Sequence, residues 1–215
     1  QIMAYRTTPQ RLDRDQQLRQ HILGCALQRV VQGGFAALTM QALAEDAGIA
    51  TGSLYRHFAN KGELSAEVFA LASQREIDAL GAVLQGPGSP AERLRDGLRL
   101  FAARAWHSRR LAFALIAEPV EEAVDHQRLR YRQAYAGLFE QLLEQGRAAG
   151  QFHYPALRIT AACLVGAIAE ALVGPLAPHQ EHPRADAQLA LLSHSVSHFC
   201  LSALGADLSI LESQS

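Results

Sequence analysis

Apolar residues in this chain recur at spacings of three and four, in runs of helical length, and glycine or proline closes almost every run. Leu18, Ile22, Cys25, Ala26 and Val30 show the pattern first, and Gly33-Gly34 ends it. No stretch alternates apolar and polar residues between turn residues, so a sheet has no sequence to form from. The fold class expected is all-α, with about nine helices.

Boundary residues place those helices. The first spans about 14–32. Thr39 can cap a second, MQALAEDAG, that stops at Gly48, and Thr51 caps a short third one over 51–58. Asn60 and Glu63 form a capping-box-like pair opening a long fourth helix, with Leu64, Val68, Leu71 and Ala72 on one face. GPGSP, residues 86–90, is the clearest break. Ser89, Pro90 and Glu92 then take the cap, first and third positions of a fifth helix that runs to about Ser108. A sixth reaches Pro119, a seventh covers 121–149, Pro155 opens an eighth that Pro175 and Pro178 close, and a ninth runs from about Pro183 to Gly205. Residues 1–62 and 63–215 are the two domains expected.

Charge divides along the same line. The formal net charge is −1, yet residues 1–62 hold seven Arg/Lys against four Asp/Glu, while the remainder holds 13 against 17. A basic end on an acidic body fits an anionic partner for the N-terminal part. Cys25, Cys163 and Cys200 lie in apolar helical stretches, an odd count that points to a reducing, cytoplasmic setting. No N-terminal targeting signal is visible. ITAACLVGAIAEALVGPLA, 159–177, approaches the length of a membrane span, but Glu170 sits inside it and Pro175 breaks its end. A packed interface helix is expected there, and no membrane partner.

AGIATGSLYRHF, 47–58, carries the chemistry. On a helix over 51–58, Leu54 and Phe58 point into the small N-terminal core, while Gly52, Ser53 and Arg56 face outward. Tyr55 and His57 flank that outer face. Small residues at 52 and 53 admit a partner closely, and arginine is the commonest bidentate reader of guanine in the major groove. Tyr55, His57 and Lys61 are placed to hold phosphates. This is helix-turn-helix geometry, although a surface hairpin that binds nothing satisfies the same spacing.

Residues 35–64, FAALTMQALAEDAGIATGSLYRHFANKGEL, resemble the DNA-binding domain of the tetracycline-repressor (TetR) family of bacterial transcription regulators. The shared features are a Gly-Phe ending the first helix, Thr39 opening the second, and Ala44 and Gly48 at the turn. The strings Leu-Tyr-x-His-Phe and Asn-Lys-x-Glu-Leu follow. The resemblance covers about the first 65 residues. It implies backbone contacts from Thr39, Tyr55, His57 and Lys61, and base-reading or groove-lining roles for Gln41, Thr51, Gly52, Ser53 and Arg56. It also implies a repressor that double-stranded DNA with a palindromic operator binds and a small-molecule effector releases.

In the remainder, Leu189, Leu192, Val196, Phe199 and Ala203 repeat at coiled-coil spacing, and Leu157, Ala161, Leu164, Ile168 and Ala171 do so in the preceding helix. Two such seams suit a four-helix bundle made by two chains, with Leu164, Ile168, Leu189, Leu192, Val196 and Phe199 at a homodimer interface. The fourth to seventh helices should enclose a cavity. Phe101, Trp106, Phe113, Tyr131 and Tyr135 are its expected apolar walls, and His107, Glu118 and Arg128 its polar anchors.

His194 and His198 share a helical face and could chelate zinc or nickel in a metal-responsive regulator, with His179 and His182 in the preceding loop, but no acid or cysteine completes a set. Phosphate-loop, nucleophile-elbow and HExxH motifs are missing, which speaks against an enzyme. No cofactor is expected.

Overall fold

A computed structural model describes residues 9–178 and 185–212. Pro183, His179 and His182 lie outside them. Among the described residues the chain forms nine α-helices and no strand: α1 (Pro9–Gly33), α2 (Met40–Ala47), α3 (Thr51–Leu54), α4 (Lys61–Leu84), α5 (Pro90–His107), α6 (Arg109–Ile116), α7 (Glu122–Ala148), α8 (Leu157–Leu176) and α9 (Ala185–Ala203). Short 3-10 turns occupy Phe35–Ala37 and Leu208–Leu211.

Local chemistry explains most boundaries. Thr39 Oγ1 accepts the Ala42 amide and opens α2, and Gly48, at φ 68°, closes it in the left-handed region. Asn60 accepts the Glu63 amide at the start of α4, but Glu63 returns its carboxylate to Ala59 N rather than to Asn60. Ser89 and Glu92 complete a reciprocal capping box with Pro90 in the first turn of α5. Pro175 does not stop α8, which continues to Leu176 because a proline in the last turn forfeits only one backbone bond. Arg109 donates to the Pro175 carbonyl there.

Helix α3 is half the length expected. After Leu54 the chain tightens: the Arg56 and His57 amides bond three residues back, to Ser53 and Leu54. Leu54 and Phe58 still enter the core, fully buried.

Two apolar cores form. Ile22, Ala26, Val30, Phe35, Leu38, Leu43, Leu54, Phe58, Leu64, Val68 and Phe69 fill the first, which also takes Ala114 from α6 and Val124 from α7. The second joins Leu80 and Leu84 of α4 to Leu94, Leu98, Phe139, Leu143, Phe152, Leu172, Cys200, Leu201 and Leu204. Helix α8 is long and apolar enough to cross a membrane by length and composition, yet it carries a buried stripe, Ala161, Leu164, Ile168, Leu172 and Leu176, into this core, with Glu170 exposed.

One buried acid ties the cores together. The Glu118 carboxylate accepts the Phe35 and Ala36 amides, each at 3.1 Å, and lies 3.6 Å from Arg110 Nη2. Arg110 also donates to the Gly33 carbonyl at 2.7 Å, and Arg128 donates to the Glu118 carbonyl at 2.7 Å. Gly34 makes this approach possible. It sits at φ 73°, and a Cβ there would stand 2.4 Å from Glu118 Oε2. Gly48 has a similar φ but nothing within 4 Å of a Cβ. Gly34→Ala should therefore destabilise by more than Gly48→Ala. Gly48→Ala carries only the left-handed penalty of about 1–2 kcal/mol. Urea unfolding of the two variants checks the order.

Candidate nucleic-acid interface and effector cavity

The N-terminal core presents α2 and α3 on its outside. Gln41, Thr51, Gly52, Tyr55 and Arg56 are exposed and Ser53 is half-buried. Gly52 is open: a Cβ there would meet no atom within 4 Å. Arg56 Nη2 donates to Ser53 Oγ at 2.9 Å, which parks the guanidinium on its own helix without consuming its other donors. Tyr55 is 52% exposed.

Of the three remaining positions, His57 departs from expectation. The His57 side chain is only 5% exposed, with Nε2 3.9 Å from Asp15 Oδ1 on α1. The tightened turn after Leu54 swings it inward, which removes it as a direct phosphate clamp. Lys61 Nζ lies 3.6 Å from Glu121 Oε1, so an arriving phosphate competes with that carboxylate. Thr39 is exposed, and its hydroxyl oxygen already caps α2.

Between α4, α5, α6, α7 and α8 lies a cavity of about 80 Å³. Its walls include Phe69, Leu80, Phe101, Leu111, Leu115, Tyr131, Tyr135, Phe139 and Ile168. Two ring pairs shape it: Phe101 meets Tyr135 edge-on at 5.6 Å, and Phe69 tilts against Tyr131 at 6.2 Å. Of the charged groups, Arg104 and Glu76 hold each other in a two-pronged bond at 2.7 and 2.8 Å. Arg128 bonds Asp125 and the carbonyls of Ala114, Leu115 and Glu118; burial pulls its guanidinium below the ordinary arginine value, with Asp125 opposing.

Phe101, Arg128, Tyr131 and Tyr135 thus come together at the cavity, while two other expected wall residues, Trp106 and Phe113, and two expected anchors, His107 and Glu118, do not. Trp106 is buried in the second core beneath the Arg109 guanidinium, 4.4 Å above its ring. His107 is exposed and bonded to the Ala103 carbonyl. Phe113 packs against the core outside the cavity. Glu118 belongs to the interdomain junction. Phe69, Ser73, Glu76 and Arg104 line the cavity and were missed; the i, i+3 step from Ser73 to Glu76, facing Arg104 of the next helix, is the signal that could have revealed them.

Most of the residues expected at a dimer seam turn inward. Leu164, Ile168 and Val196 are buried in the protomer's own core, and Leu189 and Leu192 pack against it. Only Phe199, 62% exposed, faces out. The outward faces of α8 and α9 carry Ile159, Ala162, Cys163, Gly166 and Leu191. His194 and His198 stand there too, ring centroids 6.2 Å apart, and no cluster of three or more metal-binding side chains occurs among the described residues.

Comparison with known proteins agrees with this geometry. The sequence model described as "Bacterial regulatory proteins, tetR family" matches residues 22–68, and that described as "Tetracyclin repressor-like, C-terminal domain" matches 87–172. The HTH-type transcriptional regulator AcrR of Shigella flexneri is 36% identical over 83 residues, 38% of this chain and 38% of that protein. The HTH-type transcriptional repressor KstR of Rhodococcus jostii is 38% identical over 78 residues, 36% of this chain and 35% of its own length. The match therefore spans little more than a third of either relative. In three dimensions, FadR from Bacillus subtilis in complex with stearoyl-CoA superposes with a TM-score of 0.72 at 18% identity, over 86% of this chain and 98% of that one. RolR in complex with resorcinol superposes with a TM-score of 0.70 at 20% identity, over 95% and 97%. With the helix-turn-helix and the helical body each matched in sequence, and the whole architecture shared, the chain belongs to the tetR family of bacterial regulatory proteins.

Proposed function

We propose that the protein is a cytoplasmic, homodimeric transcription repressor that double-stranded operator DNA binds through α2 and α3 and that a small molecule in the cavity releases. The observation that carries this reading is the open face around Gly52 and Arg56, set immediately before a helix that lines an apolar cavity. Residues 1–62 act as the reading unit and 63–215 as the effector and dimerisation unit. Two structural neighbours with very different ligands, stearoyl-CoA and resorcinol, support a body built to accept small molecules. No catalytic step or cofactor is assigned.

Two-fold symmetry follows from the size of the reader. One short helix covers only a few base pairs, so two protomers must span half-sites about 34–36 Å apart. The outward faces of α8 and α9, with small residues at 162, 163 and 166 and the exposed Leu191 and Phe199, suit the seam.

Release requires that cavity occupancy alter the relation of the two readers. Two links are in place. Helix α4 starts at Lys61, beside the reader, and its Phe69, Ser73, Glu76 and Leu80 line the cavity. Arg128, a cavity residue, donates to the Glu118 carbonyl, whose carboxylate holds the turn after α1. A cavity of about 80 Å³ lies below the roughly 300–1,000 Å³ of common ligand clefts, so an occupant spreads its walls and drives both links.

Capture of sheared genomic DNA, followed by gel shift on the recovered fragments, tests the reading; no retained fragment would refute it. Gly52→Leu should keep thermal stability at or above the parent, because the new side chain stands in solvent, while abolishing specific binding. A variant that bound normally would place the reader elsewhere. Arg56→Ala should cost about 1–3 kcal/mol on the captured site and relax preference at one base pair. Lys61→Ala should instead weaken all duplexes alike and flatten the salt dependence, read by titration at several salt concentrations.

A further inference from the structure

Charge around the cavity is unbalanced at one residue. Glu76 and Arg104 grip each other, and Arg128 is met by Asp125 and three carbonyls. Arg132 also lines the cavity, one turn beyond Arg128 on α7, and makes no ion pair or hydrogen bond among the described residues. Like charges four apart on a helix repel each other. Burial, together with the Arg132 charge, holds the Arg128 guanidinium below its ordinary value. A carboxylate arriving here gives Arg132 the counter-charge it lacks, in the two-pronged geometry a guanidinium favours.

The surroundings fix how such a molecule lies. The cavity adjoins a wider groove of about 600 Å³ between α7 and α8. Ile116, Arg132, Val165 and Ala169 line both spaces, so Arg132 stands at the partition between them. It is exposed, and a carboxylate bound there keeps part of its hydration. Leu80, Phe101 and Phe139 line only the inner space, which suits an apolar body. Glu170 lines only the groove and makes no ion pair among the described residues, so it repels an anion that would settle farther out.

We infer that the effector is an amphipathic monocarboxylate that sets its apolar body in the cavity and its carboxylate against Arg132. This deepens the reading of the cavity as the effector site and rests on it.

Octanoate with octanamide, and 3-phenylpropionate with 3-phenylpropanamide, are near-isosteric pairs that differ in charge, and the two tails separate alkyl from aryl acids. Isothermal titration calorimetry on the full-length protein should show at least one acid binding about fivefold or more tightly than its amide. Arg132→Gln should abolish or reverse that preference, because an unpaired carboxylate is costlier to take from water than an amide. Arg132→Lys should keep part of it, and added salt should narrow it. Phe101→Leu should weaken acid and amide together. Amides that bind as tightly as acids in the parent, a preference that survives Arg132→Gln, or binding of no probe would each overturn the assignment. Fluorescence anisotropy on the captured duplex separates this inference from the reading beneath it. If an acid binds with the Arg132 dependence but leaves DNA affinity unchanged, the cavity chemistry stands and the effector role fails. If the amides bind as well as the acids and release DNA equally, the effector role stands and the chemistry fails.

Discussion

A buried carboxylate holds this molecule together as a regulator. Taking Glu118 out of water costs several kcal/mol, and two backbone amides with the nearby Arg110 offset it. Those amides belong to the turn that follows α1, 83 and 82 residues earlier in the chain, and the left-handed glycine at position 34 lets the acid come so close. Everything C-terminal to α6 is thereby registered against the reading unit. Without this bond the apolar contacts of Ala114 and Val124 would still join the cores, but apolar contact is non-directional and sets no fixed angle.

The same geometry accounts for the economy of the proposed switch. The cavity walls are ends and faces of helices that also touch the N-terminal core, so no separate transmission element is needed. Close packing makes such walls bistable rather than compressible, and a guest larger than the resting space must shift whole helices. Lys61 adds an electrostatic detail: its ion pair with Glu121 bridges the start of α4 and the N-cap of α7. Helix movement and phosphate binding therefore draw on one lysine.

Much of the architecture was legible because caps and breakers are local. Thr39, Gly48, Ser89 with Glu92, and Gly150 each terminate or start a helix by bonds within a few residues. The exposure of Thr51, Gly52, Tyr55 and Arg56 was legible for the same reason, since a short helix fixes which residues point outward. The failures share a different cause. Periodicity in α8 and α9 records the stripe each helix buries in its own protomer, and the outward face, which mixes small residues with Ile159, Leu191 and Phe199, leaves no periodic trace. Glu118 and Trp106 were assigned to the cavity by type, but their partners lie far away in sequence or on a neighbouring helix. His57 turned inward because three-residue bonds tightened the chain after Leu54, a change of pitch that an ideal helical wheel does not contain.

The central claim is that the Glu118 junction carries cavity occupancy to the DNA-reading face. Its direct test is the ratio of DNA affinities with and without a cavity-binding compound, measured for the parent and for Glu118→Gln. Glutamine can accept one amide but presents a donor to the other, so the junction loosens while the cavity walls stay intact. The account predicts that Glu118→Gln still binds the compound and the duplex, with the affinity ratio falling toward one. A folded variant that kept the parental ratio would show that α4 alone carries the signal and that the buried carboxylate is only a structural tie.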